Sequence, residues 1–273
     1  SAASDVYKRQ ESKGALLLPA ISKDGRQPWI EYGKTVNVQP NFKKVAIVIK
    51  GSGFDAEALD KITKAFDSEV SFSFSPYAPE TGTKILSARQ QGHETYMDLP
   101  LSSKDFLKSD SGPLSMSLTI SDAESLNRLE KILSPGAPIG GVVINDGVAD
   151  ESNEHVLKIV LRVIKKRGLL MIDATHGNGI ERLTLEGLPR RRADIVIDNL
   201  LDRELIRQEI AKAEKMALEN GQVLIVAEPK PVILKEIYNW INTFSPQLTY
   251  EASKNTVIEK PLALVPVSNL VVE

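Results

Sequence analysis

Seven short strand-like runs that alternate with helix-like segments limit the folds open to this chain more than any other feature. The first run, at 45–49, is continuously apolar, which is typical of a strand buried on both faces. Further runs lie at 70–74, 94–99, 139–144, 169–172, 194–197 and 222–227, and helical periodicity at 56–66, 83–91, 121–133, 153–166, 203–219 and 231–244. Alternating strands and helices pair in parallel through right-handed crossovers. The pattern predicts a closed or nearly closed (β/α) barrel over residues 45–270, with a doubly wound open sheet as the alternative that periodicity does not exclude.

Residues 1–44 lack this pattern. Residues 5–10 read DVYKRQ, which looks like the translation of a sequencing adapter, so we interpret residues 1–10 as an artefact. Residues 11–44 are predicted to form an extended N-terminal arm that wraps the barrel, with Trp29 packed against it. Because a leader or anchor upstream of Glu11 would have been lost, the absence of a visible leader says nothing about location. Such a lost segment is the only route to a membrane that we expect.

Composition excludes several classes of function. With 34 Lys and Arg against 36 Asp and Glu, the formal net charge is -2, and the absence of a long basic run argues against a nucleic-acid partner. The chain has no Cys, which excludes disulfide scaffolds, thiolate zinc sites and cysteine nucleophiles. Only His93, His155 and His176 are left as imidazole ligands for a metal.

A polar residue lies at or just beyond the end of each predicted strand. In a barrel these residues lie on one rim, at the carboxyl ends of the strands, where such folds place their binding sites. A single Asp after a strand is often only a helix cap or a turn former, but four carboxylates on one rim predict a polar cleft. The seven residues are Lys50, Ser75, Asp98, Asn145, Asp173, Asp198 and Glu228. His176 is the one His in a rim loop, and we expect Lys50, Asn145, His176 and Asp198 to line the substrate cleft.

The order of short motifs from about residue 11 to 270 resembles the divergent polysaccharide deacetylase family of proteobacteria, a carbohydrate esterase-like family with a deformed (β/α) barrel. The stretch at 21–29 is similar to the alphaproteobacterial branch. The matching stretches are Ala46-Ile47-Val48-Ile49 before Gly51 and Gly53, Phe74-Ser75-Pro76-Tyr77-Ala78-Pro79, Gly92-His93-Glu94, Asp98-Leu99-Pro100, Gly112-Pro113-Leu114, Gly141 with Gly147, Gly168-Leu169 with Ile172-Asp173, and Ile197-Asp198-Asn199. The resemblance implies a deformed, seven-stranded barrel and metal-assisted removal of an acetyl group from an N-acetylated sugar.

The resemblance fails at the positions that carry this chemistry. Lys50 and Gly51 stand where the family has two consecutive Asp residues, the base and a metal ligand. Three positions where the family has His are occupied by Asp98, by Asp146 after Asn145, and by Glu228 before Pro229. Asp173, Asp198 and His93 persist.

These departures leave two hypotheses. Zinc favours imidazole ligands, so we expect no bound metal and predict that Lys50 pairs with a carboxylate and fills the metal position with its own charge. Zinc, or magnesium held by the remaining carboxylates, is the alternative. The first hypothesis is a deacetylase-like hydrolase in which Asp98, Asp173 and Glu228 act as acid, base or ligands. The second is a catalytically inactive glycan-binding or regulatory protein. In both, the resemblance implies a carbohydrate or peptidoglycan-like glycan as partner and a location in the periplasm or cell envelope.

Overall fold

The computed structural model describes residues 10–102, 112–117, 120–145, 154–175, 180, 183, 185–246 and 260–271. Its strands are β1 (Gln10–Lys13), β2 (Leu16–Pro19), β3 (Lys43–Ser52), β4 (Ser71–Phe74), β5 (Thr95–Pro100), β6 (Gly141–Asn145), β7 (Leu170–Asp173), β8 (Arg190–Arg192), β9 (Ile195–Ile197), β10 (Gln222–Ala227) and β11 (Leu262–Leu264). Its helices are α1 (Pro28–Glu31), α2 (Ala56–Ala65), α3 (Thr81–Gln90), α4 (Asp122–Ile132), α5 (Glu154–Lys166), α6 (Arg203–Asn220) and α7 (Pro231–Ile241), and a 3-10 turn spans Val267–Leu270.

Among the described residues, nine strands form one parallel sheet in the order β8-β7-β6-β5-β4-β3-β10-β9, with β11 paired to the start of β3. Its two edge strands, β8 and β9, are consecutive in the chain, and only Ala193 and Asp194 separate them. The strand that pairs with β7 therefore continues directly into the strand that pairs with β10, and the sheet curls into a barrel. If β8 and β9 are counted as one interrupted strand, the barrel has seven strands, the other six being β7, β6, β5, β4, β3 and β10. The predicted barrel is confirmed, and the open-sheet alternative is wrong.

One acidic side chain supports the seam where the sheet meets itself. Asp194 accepts the backbone N–H of Leu224 on β10 through Oδ2 at 2.7 Å, and its own N–H donates to the Leu224 carbonyl at 2.9 Å. The same Oδ2 accepts a hydrogen bond from Arg191 Nη2 on β8 at 2.5 Å. The run Arg190-Arg191-Arg192 by itself is typical of a solvated basic patch. In the structure this run is instead an edge strand.

Side chains alternate between the helices and the barrel interior, because successive residues of a strand point to opposite faces. On β3, Val45, Ile47 and Ile49 belong to the large core beneath the helices. Ala46 and Val48 belong to a separate interior cluster that also contains residues of β5, β6, β7 and β10. The next residue in the interior row is Lys50, so the sequence period itself aims this side chain into the barrel mouth.

Local signals agree with the helix boundaries. Ser121 caps α4 by accepting the N–H of Glu124 at 3.2 Å, as its capping-box pattern predicts. Asp55 caps α2 and Asp202 caps α6 in the same way. No helix in the described ranges is both long and apolar enough to cross a bilayer.

The segment before β3 is more structured than the predicted extended arm. Strands β1 and β2 form an antiparallel hairpin, and α1 follows with Trp29 buried in the interior cluster. At the amino-terminal end of the barrel, Glu94 is 2% exposed and accepts hydrogen bonds from the Lys34 N–H at 2.8 Å and from Tyr96 Oη at 2.9 Å. Val267 of the 3-10 turn is buried in the same interior cluster. The amino-terminal end is therefore packed with side chains.

Candidate functional site

A cavity of about 480 Å³ opens at the carboxyl ends of the strands. Four of the six predicted rim residues that have charged or amide side chains line it: Lys50, Asp98, Asn145 and Glu228. Ser75 lines it as well. The prediction of a polar cleft on this rim therefore corresponds to a real concavity, built from the ends of β3, β5, β6 and β10 and the loop after β4.

Lys50 lies deep in the cleft. Its side chain is 4% exposed, and its Nζ lies 3.5 Å from Oδ2 of Asp198, whose side chain is 23% exposed. A buried ammonium group is costly unless an opposite charge compensates for its lost hydration, and Asp198 provides such a charge. Lys50 also lowers the pKa of Glu228 by electrostatic attraction. This side chain is thus a fixed positive charge among the carboxylates of the cleft.

Asp98 is held rigidly by neutral donors. One carboxylate oxygen accepts the Gly51 N–H at 2.7 Å, and the other accepts the Ser73 hydroxyl at 2.5 Å. The Gly51 N–H points toward Asp98 where the register of β3 against β4 shifts between Ile49 and Ser52. Gly51 has a φ of 68°, a left-handed conformation that favours glycine. Strand β3 thus continues irregularly to Ser52, and the irregularity orients a donor to Asp98.

Glu228 is the more accessible carboxylate, with a side chain 24% exposed. Its Oε2 lies 2.7 Å from Lys230 Nζ and accepts the Asn199 N–H at 2.9 Å. Burial raises the pKa of Glu228, but the hydrogen bonds from Lys230 and Asn199 and the charges of Lys230 and Lys50 lower it, and the net shift is downward. Glu228 is therefore ionised at neutral pH and can act as a hydrogen-bond acceptor or a base.

Asn145, the last residue of β6, lines the cavity and is 1% exposed. Its Oδ1 has no hydrogen-bond partner among the described residues. A buried acceptor without a donor is uncommon in folded proteins. Asn145 therefore presents an unused acceptor at the wall of the cleft.

The outer wall of the cleft is less polar. Phe54, in the connection between β3 and α2, is 61% exposed and lines the cavity together with Pro76 and Pro229. Tyr77 accepts the Leu114 N–H through its hydroxyl at 3.0 Å. A Cβ at Gly112, whose φ is 82°, would lie 2.6 Å from the Tyr77 ring, so only glycine fits there. Two motif stretches far apart in the chain thus pack directly against each other.

The remaining predicted site residues lie in different places. Asp198 reaches the cleft through its ion pair with Lys50. Asp173 is 3% exposed and accepts the backbone N–H and the hydroxyl of Thr175 at 3.0 and 2.7 Å, and it is not among the residues that line the cavity. Its proposed catalytic role stays a prediction. His176 lies outside the described residues.

The other two histidines are remote from the cleft. His93 is 2% exposed, and its ring nitrogens lie 2.7 and 2.8 Å from the carbonyl oxygens of Val70 and Thr63. His155 is exposed on α5, with Nε2 2.8 Å from Oδ1 of Asp122. Although His93 belongs to one of the family-like motifs, its contacts are those of a core residue between a strand and a helix.

The side chains of the cleft do not fit a zinc ion. Within the described part of the chain, no three His, Cys, Asp or Glu side chains converge as metal ligands would. The carboxylate of Asp98 is already bonded to Gly51 and Ser73, and the ammonium of Lys50 lies next to Asp198. A divalent ion brought to this group would meet that ammonium at close range and be repelled.

Sequence reasoning missed several cleft residues, three of which have large or charged side chains. Phe54, Tyr77 and Lys230 all line the cavity, yet none directly follows an apolar run. Tyr77 lies within a recognised motif, and Lys230 lies two residues beyond Glu228. Attention to the second and third residues beyond each strand would have found Tyr77 and Lys230. Nothing in the local sequence distinguishes Phe54.

Comparisons with known proteins agree with this fold. YibQ, an uncharacterized protein of Escherichia coli, is 22% identical over 212 residues, which cover 76% of this chain and 65% of that protein. This chain therefore spans slightly less than two thirds of that relative.

Two crystal structures share the fold. An uncharacterized protein from Agrobacterium tumefaciens has a TM-score of 0.79 at 24% identity, covering 94% of this chain and 100% of that one. The catalytic domain of a peptidoglycan N-acetylglucosamine deacetylase from Eubacterium rectale has a TM-score of 0.51 at 12% identity, covering 86% and 94%.

The family comparison covers most of the chain. The family described as divergent polysaccharide deacetylase matches residues 47–254. This match includes Lys50, Asp98, Asn145 and Glu228, so the altered cleft lies inside the region that defines the family. The resemblance seen in the order of the motifs is confirmed, and the chain belongs to the divergent polysaccharide deacetylase family.

Proposed function

We propose that this protein is a glycan-binding member of its family that acts in the cell envelope and does not carry out metal-assisted deacetylation. One observation carries the proposal: the buried ammonium of Lys50, 3.5 Å from Asp198, stands among the carboxylates of the cleft. A lysine cannot serve as a ligand while protonated, and its charge compensates the carboxylates that would otherwise attract a divalent cation.

Three further features support a glycan as the ligand. The family is one of polysaccharide deacetylases, and a neighbour in fold is named for its action on peptidoglycan N-acetylglucosamine. The cleft combines charged and amide groups with an exposed aromatic ring, Phe54. Sugars present hydroxyl groups at their edges and C–H groups on their faces, and aromatic side chains pack well against apolar faces. A peptidoglycan-like glycan, and hence an envelope location, follows from this reasoning.

The second candidate is a hydrolase with a reworked site. Glu228 favours it, because an ionised carboxylate that lines a cavity can accept a proton from water or from a substrate. Asp98 would then orient the substrate, and Asp173 would act only through a rearrangement that brings it into the cleft. Zinc or magnesium would take part only if Lys50 moved away from Asp198.

The test combines calorimetry with an activity assay. Metal-stripped protein is titrated with zinc, with magnesium and with peptidoglycan-derived oligosaccharides, and acetate release is followed with and without each ion. We expect binding of the oligosaccharide, no metal binding tighter than about 10 μM, which corresponds to about 7 kcal/mol, and no acetate.

Two controls separate the candidates. Glu228→Gln should leave the absence of acetate unchanged, whereas in a hydrolase it would abolish turnover. Asp173→Asn tests the residue outside the cleft in the same assay. Metal-dependent release of acetate that Glu228→Gln or Asp173→Asn removes would refute the binding function in favour of the hydrolase.

A further inference from the structure

Asn145 is the one buried polar side chain of the cleft whose described contacts leave an acceptor unused. It is 1% exposed, it lines the cavity, and its Oδ1 has no hydrogen-bond partner in the described part of the chain. It is the last residue of β6 and pairs with Pro100, the last residue of β5, so both residues are anchored in the sheet. Such an acceptor costs stability in the free protein, and a ligand that donates to it recovers that cost.

Other polar groups of the cleft already have partners. Gly51 and Ser73 donate to Asp98, and Lys230 and Asn199 donate to Glu228. A ligand that enters the cleft therefore finds an acceptor to satisfy at Asn145. It must bring a donor, an N–H or an O–H.

The charges of the cavity lining indicate what else the ligand carries. Two ammonium groups, Lys50 and Lys230, face two carboxylates, Asp98 and Glu228, so the lining has no net formal charge. A cationic ligand would have to approach Lys50, whose positive charge is poorly screened because it is 4% exposed. An anionic ligand would meet the ionised Glu228. An uncharged ligand avoids both penalties.

We infer that Asn145 receives a hydrogen bond from an N–H or O–H group of an uncharged sugar residue, while the buried charge of Lys50 sets the preference of the cleft for neutral over cationic sugars. This inference rests on the proposed function and specifies which glycan the cleft accepts. The sugar presents its donor to Oδ1 and lays an apolar face near Phe54. N-acetylated amino sugars and plain hexoses offer such donors without a charge, whereas sugars with a free, protonated amine bring a positive charge that Lys50 repels.

The first measurement needs no ligand. In Asn145→Leu, a similar-sized apolar side chain replaces the amide and removes the unused acceptor. We expect the thermal midpoint of the free protein to rise, which a purely structural asparagine would not allow. The matched control is Thr63→Val, because Thr63 is 3% exposed but its hydroxyl donates to Leu59 O at 3.0 Å. Thr63→Val should lower the midpoint.

The second measurement uses three oligosaccharides of equal length at mildly acidic pH: one of N-acetylglucosamine, one of glucose and one of glucosamine. Calorimetry should give similar affinities of the wild-type protein for the first two and an affinity about tenfold lower for the third. Asn145→Leu should weaken the two neutral ligands about fivefold to tenfold, the effect of one lost hydrogen bond. Thr63→Val should bind all three as the wild type does.

The outcomes separate this inference from the proposed function. If no oligosaccharide binds to the wild-type protein, both are wrong. If the neutral oligosaccharides bind and Asn145→Leu binds them equally well, or is less stable than the wild type, the inference alone is wrong. Tighter binding of the glucosamine oligomer than of the neutral ones also overturns it while leaving glycan binding intact.

Discussion

Replacing Lys50 by Met tests whether the buried ammonium supports the cleft. Methionine has a similar length and no charge, so the substitution keeps most of the packing and removes the ion pair with Asp198. The pair is asymmetric, because the Lys50 side chain is 4% exposed and that of Asp198 is 23% exposed. We therefore expect most of the lost stability to come from Asp198, whose negative charge would keep its place in the cleft without the positive charge of Lys50 beside it.

The magnitude follows from the separation of the charges. At 3.5 Å and an effective dielectric constant of about 20, two unit charges attract by about 5 kcal/mol, and the desolvation of both groups offsets part of this. Removing one partner of a fully buried pair costs about 3–5 kcal/mol. Since Asp198 can regain some hydration, we expect Lys50→Met to lower the free energy of unfolding by about 2–3 kcal/mol.

The assay is urea unfolding of four proteins: the wild type, Lys50→Met, Asp198→Asn and the double variant. The double-mutant cycle isolates the coupling between the two side chains, which should be about 1–3 kcal/mol. The pKa of Glu228 should also move upward in Lys50→Met, because Lys50 is one of the charges that lower it. An NMR titration of the Glu228 carboxyl measures this shift.

Two results would refute the reasoning. Additive effects, with a coupling energy near zero, would mean that Lys50 and Asp198 do not form a functional pair in solution. A stability equal to or above that of the wild type in Lys50→Met would mean that desolvation outweighs attraction, so that the lysine is kept for another reason. Either result would remove the main support for a metal-independent cleft.

Three further predictions concern the seam, the cleft wall and the pH dependence. Asp194→Ala leaves a backbone N–H of β10 without its 2.7 Å acceptor and should cost about 1–3 kcal/mol in urea unfolding; an unchanged midpoint would contradict the role of this side chain in closing the barrel. Gly112→Ala forces a Cβ to within 2.6 Å of the Tyr77 ring. It should destabilise the protein by about 1–3 kcal/mol more than the control Gly136→Ala, because Gly136 has a similar positive φ but open space around it. Equal effects of the two substitutions would show that the Tyr77 ring moves aside. The pKa of Glu228 lies below its usual 4.5, so its contribution to stability is complete above that pH and is lost as the pH falls through the lowered value. Glu228→Gln should therefore reduce the loss of thermal stability between neutral pH and about pH 3, and identical pH profiles for the two proteins would argue against an ionised, hydrogen-bonded Glu228.

Most of the sheet could be predicted from the sequence because its strands are buried on both faces. The stretches 45–49 and 223–227 are apolar throughout, and the strands that contain them span Lys43–Ser52 and Gln222–Ala227. The capping box at Ser121 identified the start of α4 to the residue. These signals are local, so a single sequence contains them.

Strands whose identity depends on distant partners were missed. Arg190–Arg192 reads as a basic patch, and Leu262–Leu264 is too short to stand out. Each pairs with one neighbouring strand at a place where the sheet offers a free edge. Tertiary pairing decided both assignments, because Arg190–Arg192 is basic throughout and the apolar Leu262–Leu264 is only three residues long.

The site shows the same division at the level of side chains. Their position at the strand ends correctly predicted that Lys50, Asp98, Asn145 and Glu228 line the cavity. The two-residue period of a strand places these four side chains in the interior row. Asp173 ends its strand in the same way, yet it bonds to Thr175 and does not line the cavity. One residue of difference in register decides which face a side chain takes, and a run of apolar residues does not reveal that register.

By itself, the sequence determined a parallel α/β fold, its family, and the replacement of the family's acidic pair by Lys50 and Gly51, because these depend on residue identity and short-range pattern. Only the tertiary structure decided that Lys50 pairs with Asp198, that Gly51 donates to Asp98 and that Asn145 keeps an unused acceptor. The physical reason is that charge compensation and hydrogen bonding depend on distances of a few ångströms between residues far apart in the chain, and these distances exist only once the sheet has curled and closed.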